Sequence, residues 1–177
     1  RKEYKEPILK KVMKIKPYVE KLEKSKEYKS FRVKHPDAFM IAGFFVIDYQ
    51  NQANQKQLDY CLPDGKIFTF ILDKEITIKE AETIEGRKTE LKSLNKKIKA
   101  DLDDIENILK SEFETHRINK KLNKMIAILQ NYQDKQIWNL TLMLEGFDMI
   151  QCHIDSMSGE ILKFEQKNMF DFIKKVK

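Results

Sequence analysis

The sequence predicts an α+β protein of two tandem cystatin-like halves, each a helix with a three- or four-stranded antiparallel meander, linked by long connecting helices. Three observations predict this fold. Segments that alternate polar and apolar residues, as half-buried strands do, fall into two clusters. Segments with apolar residues three and four apart, as in amphipathic helices, precede each cluster. Both clusters also contain a glycine turn. We divide the chain into a unit 1–79 and a unit 80–177 with the helical connector, and duplication into one compact domain stays an alternative.

The first unit opens with two helical patterns, near 5–15 and over 17–29. Pro17 lies in the first turn of the second helix, where its missing N–H costs no hydrogen bond. The following strand is rich in aromatic and β-branched residues, and a Pro-Asp-Gly turn at 63–65 separates the next two. The strands are predicted at 38–49, 57–62, 66–73 and 75–79.

The second unit opens with a long helical pattern. The segment 80–130 fits either one continuous helix or two helices that meet near 115–119. The first apolar stripe comprises Leu91, Leu94, Ile98, Leu102, Ile105, Ile108, Leu109 and Phe113. The second comprises Ile118, Leu122, Met125, Ile126 and Leu129. Strands are predicted at 136–144, 147–155 and 160–166, then a helix at 169–176 with Phe170 and Ile173 inward.

The glycine turns predict an internal duplication. Aligning Gly65 with Gly159 without gaps places Leu58 over Cys152 and keeps the inward and outward phase of the flanking strands. Such self-similarity is typical of a chain built twice from one unit.

The second turn carries a family resemblance. Ile154-Asp155 and Ser158-Gly159-Glu160-Ile161-Leu162, with Trp138 opening the first strand, resemble the PepSY domain family over about residues 117–166. The resemblance implies a small cystatin-like module that is noncatalytic and binds or restrains a partner. PepSY domains occur in propeptides of secreted metalloproteases and in cell-envelope proteins.

Charge and composition exclude few classes of function. The net charge is +6, from 34 basic and 28 acidic residues. This charge permits nucleic-acid binding, but acidic residues interrupt every basic run, so a solvated surface is favoured and no nucleic acid is expected. No segment approaches the roughly 18 apolar residues of a membrane span. The chain begins at Arg1, which leaves open whether a leader or anchor precedes it.

The candidate polar site is His153 with Asp155. Residues two apart on a strand share a face, whereas Cys152 points to the opposite face, which argues against a Cys-His metal site. Neither a nucleophile nor a metal ligand accompanies the pair. Asp155 is also a natural turn-former. We therefore expect no enzyme activity, no cofactor and no metal. Whether Cys61 and Cys152 form a disulfide stays open.

The predicted function is a noncatalytic binding or accessory module for a protein or peptide partner, with an exposed strand edge as one binding surface. A soluble part of a cell-envelope protein, extracytoplasmic or membrane-attached, is favoured over a cytoplasmic location. The alternatives are an intracellular interaction protein that associates through the 88–113 helix and a nucleic-acid-binding protein. The sequence leaves the oligomeric state open.

Overall fold

A computed structural model describes residues 14–81, 91–168 and 170 of the protein. Its main element is an eight-stranded antiparallel sheet in the order β4-β3-β2-β1-β5-β6-β7-β8. The strands are β1 Phe39–Asp48, β2 Gln55–Cys61, β3 Ile67–Leu72, β4 Ile76–Glu80, β5 Leu122–Tyr132, β6 Lys135–Leu144, β7 Asp148–Asp155 and β8 Ile161–Asn168. The described helices are α1 Ile15–Lys24, α2 Lys26–Lys34 and α3 Leu102–Thr115.

The predicted fold class is wrong. Two meanders exist, but β1 pairs with β5 over residues 42–48 and 124–130, so the meanders form one continuous sheet. The protein is therefore a sheet-dominated structure with short helices, not two tandem cystatin-like halves. Hydrogen bonding between β1 and β5 is a long-range pairing that local sequence patterns do not report. The division at residues 79 and 80 stays a prediction.

Helices α1, α2 and α3 pack on one side of the sheet, called here the helix face. Tyr18 of α1 contacts Phe45 of β1, and Phe31 of α2 contacts Phe70 of β3. His116, at the end of α3, stacks on Phe164 of β8. Alternate strand residues point to this face, and their side chains form a buried hydrophobic core. Its largest fully buried side chains include Trp138, Phe45, Phe70, Leu22, Leu58, Leu102, Ile105 and Leu140.

The predicted helix 17–29 is two helices. Ser25 ends α1 and caps α2, because its hydroxyl accepts a hydrogen bond from the Tyr28 N–H at 3.1 Å. Pro17 lies in the first turn of α1, as predicted. The helix near 5–15 falls mostly outside the described residues, although Ile15 is the first residue of α1.

The first long connecting helix is confirmed only over α3; the prediction is wrong for 91–101, and residues 82–90 lie outside the described residues. Residues 91–101 have no regular secondary structure. Helix α3 begins only at Leu102, because Asp101 and Asp104 form a reciprocal capping box at its start. Residues 91–101 are instead fixed by contacts to the sheet: the Ala100 carbonyl accepts the indole N–H of Trp138 at 2.8 Å, and the Leu94 N–H donates to Met40.

The predicted second connecting helix is strand β5. Its spacing from Ile118 to Leu129 suits a helix, but the strand is apolar on both faces. Met125 and Leu129 turn to the helix face, whereas Ile126 and Ile128 turn away from it. A strand at the centre of a sheet reads as a continuous apolar run, which periodicity alone does not distinguish from a helix.

The alignment of the glycine turns compares unlike hairpins. The Gly65 turn joins the second and third strands of its meander, whereas the Gly159 turn joins the third and fourth. The second turn is also one residue longer. It closes from the Asp155 N–H to the Glu160 carbonyl, and the first closes from Leu62 to Lys66. The ungapped match therefore gives no support to an internal duplication, which stays a prediction.

The remaining strands are confirmed within two residues at each end. Of the predicted C-terminal helix, only Phe170 lies among the described residues, and it is 53% exposed rather than inward. Among the residues described, no helix combines the length and the apolar character that crossing a membrane requires.

Candidate binding surface

The side of the sheet opposite the helices, called here the open face, is bare of described helices. Its rows of side chains follow from the strand register. One row crosses all eight strands, because each of its members is paired with the next. That row comprises Thr77, Ile71, Gln57, Phe44, Ile128, Asn139, His153 and Lys163.

The centre of the open face is apolar. The two central strands, β1 and β5, carry an apolar strip, defined as Ala42, Phe44, Val46, Ile126 and Ile128. Val46 is buried by its neighbours, and the other four are partly buried. Beside the strip, β2 turns Gln57 and Asp59 and β6 turns Asn139 and Thr141 to the same face, with the apolar Ile137 and Met143 farther along β6, so the strip has a largely polar rim. Protein-binding surfaces have this arrangement of an apolar centre and a polar rim.

The β5–β8 half of the rim is electrostatically satisfied. Lys163 and Lys167 lie 3.1 and 3.2 Å from the same oxygen, Oε2, of the Glu165 carboxylate. At the ends of the strands, Lys124 approaches Asp48 at 3.5 Å. These lysines therefore have carboxylate partners and leave little free positive charge for a polyanion.

His153 lies on the open face, as predicted. Its ring meets the Tyr132 ring edge-on, with 5.5 Å between centroids. Desolvation, with a smaller contribution from the Lys163 charge, lowers the pKa of His153 below 6.5. The histidine is therefore neutral at physiological pH.

Asp155 shares the face with His153 but serves the turn. Its Oδ1 accepts the N–H groups of Met157 and Ser158 at 2.8 and 3.0 Å, and its Oδ2 lies 3.9 Å from Lys135. The interpretation of Asp155 as a turn-former is confirmed. The carboxylate is occupied by amides and a cation, so it is poorly placed to act as a base for His153.

Asp59 is the acid that sequence reasoning missed. It lies on β2, on the open face, between Ala42 of β1 and Thr69 of β3. The Thr69 hydroxyl donates to its Oδ1 at 2.7 Å, and no cation of the described segments lies within ion-pair distance. Desolvation raises the pKa of Asp59, and the Thr69 hydrogen bond only partly offsets it. The fold therefore holds a desolvated carboxylate beside the apolar strip.

Two other groups of titratable residues serve the fold. His35 packs between Phe31 and Phe68 at the end of α2. The acidic run at 101–106 opens α3, where acids favour the helix dipole. Across the three described segments, no group of three or more metal-ligating side chains is found.

The cysteines are free thiols on opposite faces of the sheet. Cys61 pairs with Phe39 and Ile67 on the open-face side, whereas Cys152 belongs to the helix-face core. Four inter-strand steps separate β2 from β7, about 19 Å by ordinary strand spacing. Burial raises the pKa of Cys152 to about 12. The structure thus closes the question of a disulfide between them.

The comparisons with known proteins add little. No family model matches the sequence, and no curated protein matches it. Among solved structures, one similar chain is described as a "putative lipoprotein" of Clostridium difficile, with a TM-score of 0.46 and 14% identity. The match covers 82% of this chain and 97% of that chain. At that TM-score the likeness supports no conclusion about function.

Proposed function

We propose that the protein is a noncatalytic binding module whose open face docks a partner protein. The observation that carries the proposal is the apolar strip on β1 and β5, with its polar rim. The PepSY resemblance implies a role of the same kind. An extracytoplasmic or membrane-attached location remains a prediction beside it.

The strand edges are less suited to a partner than the face. The β8 edge carries Lys163, Glu165 and Lys167 and has a bulge opposite His153 and Ile154. The β4 edge is only five residues long. Charges, bulges and short strands are the features by which sheets prevent strand addition.

The 88–113 stripe is not proposed as an association surface. Leu102, Ile105 and Leu109 of α3 are buried against the sheet, and Leu94 is buried in the segment before it. Those side chains contribute to the core of this chain.

The charges of the open face indicate which chemical class of partner it binds. The lysines of the β5–β8 half are paired with carboxylates, so a nucleic acid would have to break those pairs. No cation of the described residues pairs with Asp59, and its carboxylate loses solvation in the folded state. A lysine or arginine of a partner would restore the favourable interaction of the charged form. The partner is therefore a protein surface with apolar side chains next to a basic residue.

A random-peptide display library selected on the immobilised protein tests this function. We expect enriched peptides that combine an apolar or aromatic residue with lysine or arginine. Their affinity should fall about tenfold on Ile128→Thr, which keeps the β-branched shape that suits a strand but removes apolar contact. Thr141→Ser, on the neighbouring strand of the same face, is the matched control and should bind normally.

Two results would contradict the proposal. One is a selection that enriches no peptides, or only acidic ones that follow the net charge. The other is binding that Ile128→Thr leaves unchanged. Thermal unfolding followed by circular dichroism separates loss of binding from loss of the fold, since both variants should unfold cooperatively.

A further inference from the structure

Two exposed aromatic rings meet at one end of the sheet. Phe147, in the loop between β6 and β7, is 63% exposed, and Phe170 is 53% exposed. Their rings meet edge-on with 5.6 Å between centroids. We call this pair the aromatic tip. Large apolar side chains that stay exposed together are typical of interaction sites, whereas single exposed ones are common.

The backbone presents Phe147 in an unfavourable conformation. Its φ of +64° lies in the left-handed region, where bulky residues are rare, and Gly146 before it has φ of +80°. A glycine at position 147 would adopt this conformation without the steric cost. Core packing does not explain the phenylalanine, because most of its surface is exposed.

Polar contacts hold the two rings together. The Asn168 side chain accepts the N–H of Phe170 at 2.9 Å and donates to Asp148 at 2.8 Å. Asp148 follows Phe147 directly and is paired with Lys120. Both sides of the aromatic tip are therefore tied to one buried carboxylate.

Basic residues lie beside the aromatic tip. The Lys121 carbonyl accepts the Glu145 N–H at 2.9 Å, which places the exposed segment 117–121 against the loop. Within that segment, Asp148 pairs with Lys120, Lys121 lies beside Glu145, and Arg117 is a further exposed cation of the same segment. Cations next to exposed aromatic rings are the combination that binds the interface of an anionic bilayer.

We propose that the aromatic tip inserts into the headgroup region of an anionic lipid bilayer. The rings supply the apolar contact, and Arg117 and Lys121 face lipid phosphates. A loop tip is convex, so it fits a deformable surface without requiring a matching pocket. This membrane contact is at the end of the sheet and leaves the open face available to the partner proposed above.

Vesicle co-sedimentation of the full chain tests the membrane contact. We expect binding to vesicles with about 30% phosphatidylserine and little binding to pure phosphatidylcholine, with loss of binding as salt screens the charges. Phe147→Gly should weaken binding at least fivefold and unfold at the same temperature or higher. Tyr132→Ser, which removes an exposed aromatic at the opposite end of the sheet, is the matched control.

Three results would overturn this assignment. Equal vesicle binding by Phe147→Gly and the wild type would mean adsorption through the net charge of +6 alone. Equal loss with Tyr132→Ser would remove the role of the tip. Absence of binding to either vesicle at low salt would point to a protein pocket as the site for these rings.

Discussion

The two halves of the open face treat their carboxylates differently. In the β5–β8 half, Asp155 is bound by two turn amides and Lys135, and Glu165 lies between two lysines. In the β1–β4 half, Asp48 is likewise bound by two amides and Lys124, but Asp59 has a single hydroxyl partner among the described residues. Asp155, which the turn motif marks, is thus part of the turn, whereas Asp59, which no motif marks, is the carboxylate that we propose for partner binding.

The largest effect on stability is expected from replacing Asp155, the carboxylate of the Gly159 turn. Asp155→Ala removes two amide hydrogen bonds and should lower the free energy of unfolding by about 1–2 kcal/mol. Asp64→Ala is the matched control, because Asp64 of the Gly65 turn also has a lysine at 3.9 Å, Lys66, but accepts one turn amide, the Lys66 N–H at 3.1 Å, instead of two. It should cost less than about 0.5 kcal/mol. Urea denaturation measures both, and equal costs would mean that the two turns do not differ as described.

Replacing Asp59 should change the free energy of unfolding in the opposite direction from Asp155→Ala. Asp59→Asn removes a desolvated charge and keeps an oxygen for Thr69, so it should raise the free energy of unfolding at pH 7 by about 0.5–1 kcal/mol. Because the folded pKa of Asp59 is raised, its penalty applies in full above that pKa. As pH falls below the ordinary value of 3.8, the carboxyl is protonated in both states and the gain should vanish.

Urea denaturation at pH 7 and at about pH 3 measures the Asp59→Asn gain. A destabilised variant at pH 7 would show that the Asp59 carboxylate stabilises the fold, contrary to the comparison of the two halves.

The smallest effect is expected at His153. Its folded pKa is lowered, so protonation opposes folding, and this penalty appears as pH falls below 6.5. His153→Gln should therefore stabilise the protein slightly near pH 5, by less than about 0.5 kcal/mol, with no gain at pH 8. Thermal unfolding at the two pH values checks this. A larger gain at pH 8 would show that the neutral ring, not its charge, is unfavourable.

The sequence predicts the strands that alternate, because polar and apolar residues then report the two faces directly. Strand β5 is missed because Ile126 and Ile128 make its outward face as apolar as its inward one. The joining of two meanders into one sheet depends on the β1–β5 pairing, which no local pattern encodes. The helical expectation for 91–101 fails because a capping box starts α3 at Asp101.

The candidate site was predictable only in part. Alternation places His153 and Asp155 on one face and Cys152 on the other, and the structure agrees. No sequence feature marks Asp59 as a site residue, since an acid in an alternating strand normally faces solvent. Its desolvation arises from neighbours on β1 and β3 that only the fold brings together. No sequence feature marks Phe147 either, because its positive φ is set by the conformation of the loop.

The affinity of a selected peptide for two variants tests the central claim most directly. Fluorescence anisotropy should show binding to Asp59→Asn about tenfold weaker than to the wild type, although that variant is the more stable protein. Binding to His153→Gln should be unchanged. The opposite pattern, with loss at His153 and none at Asp59, would place the binding capacity in the β5–β8 half and contradict the account.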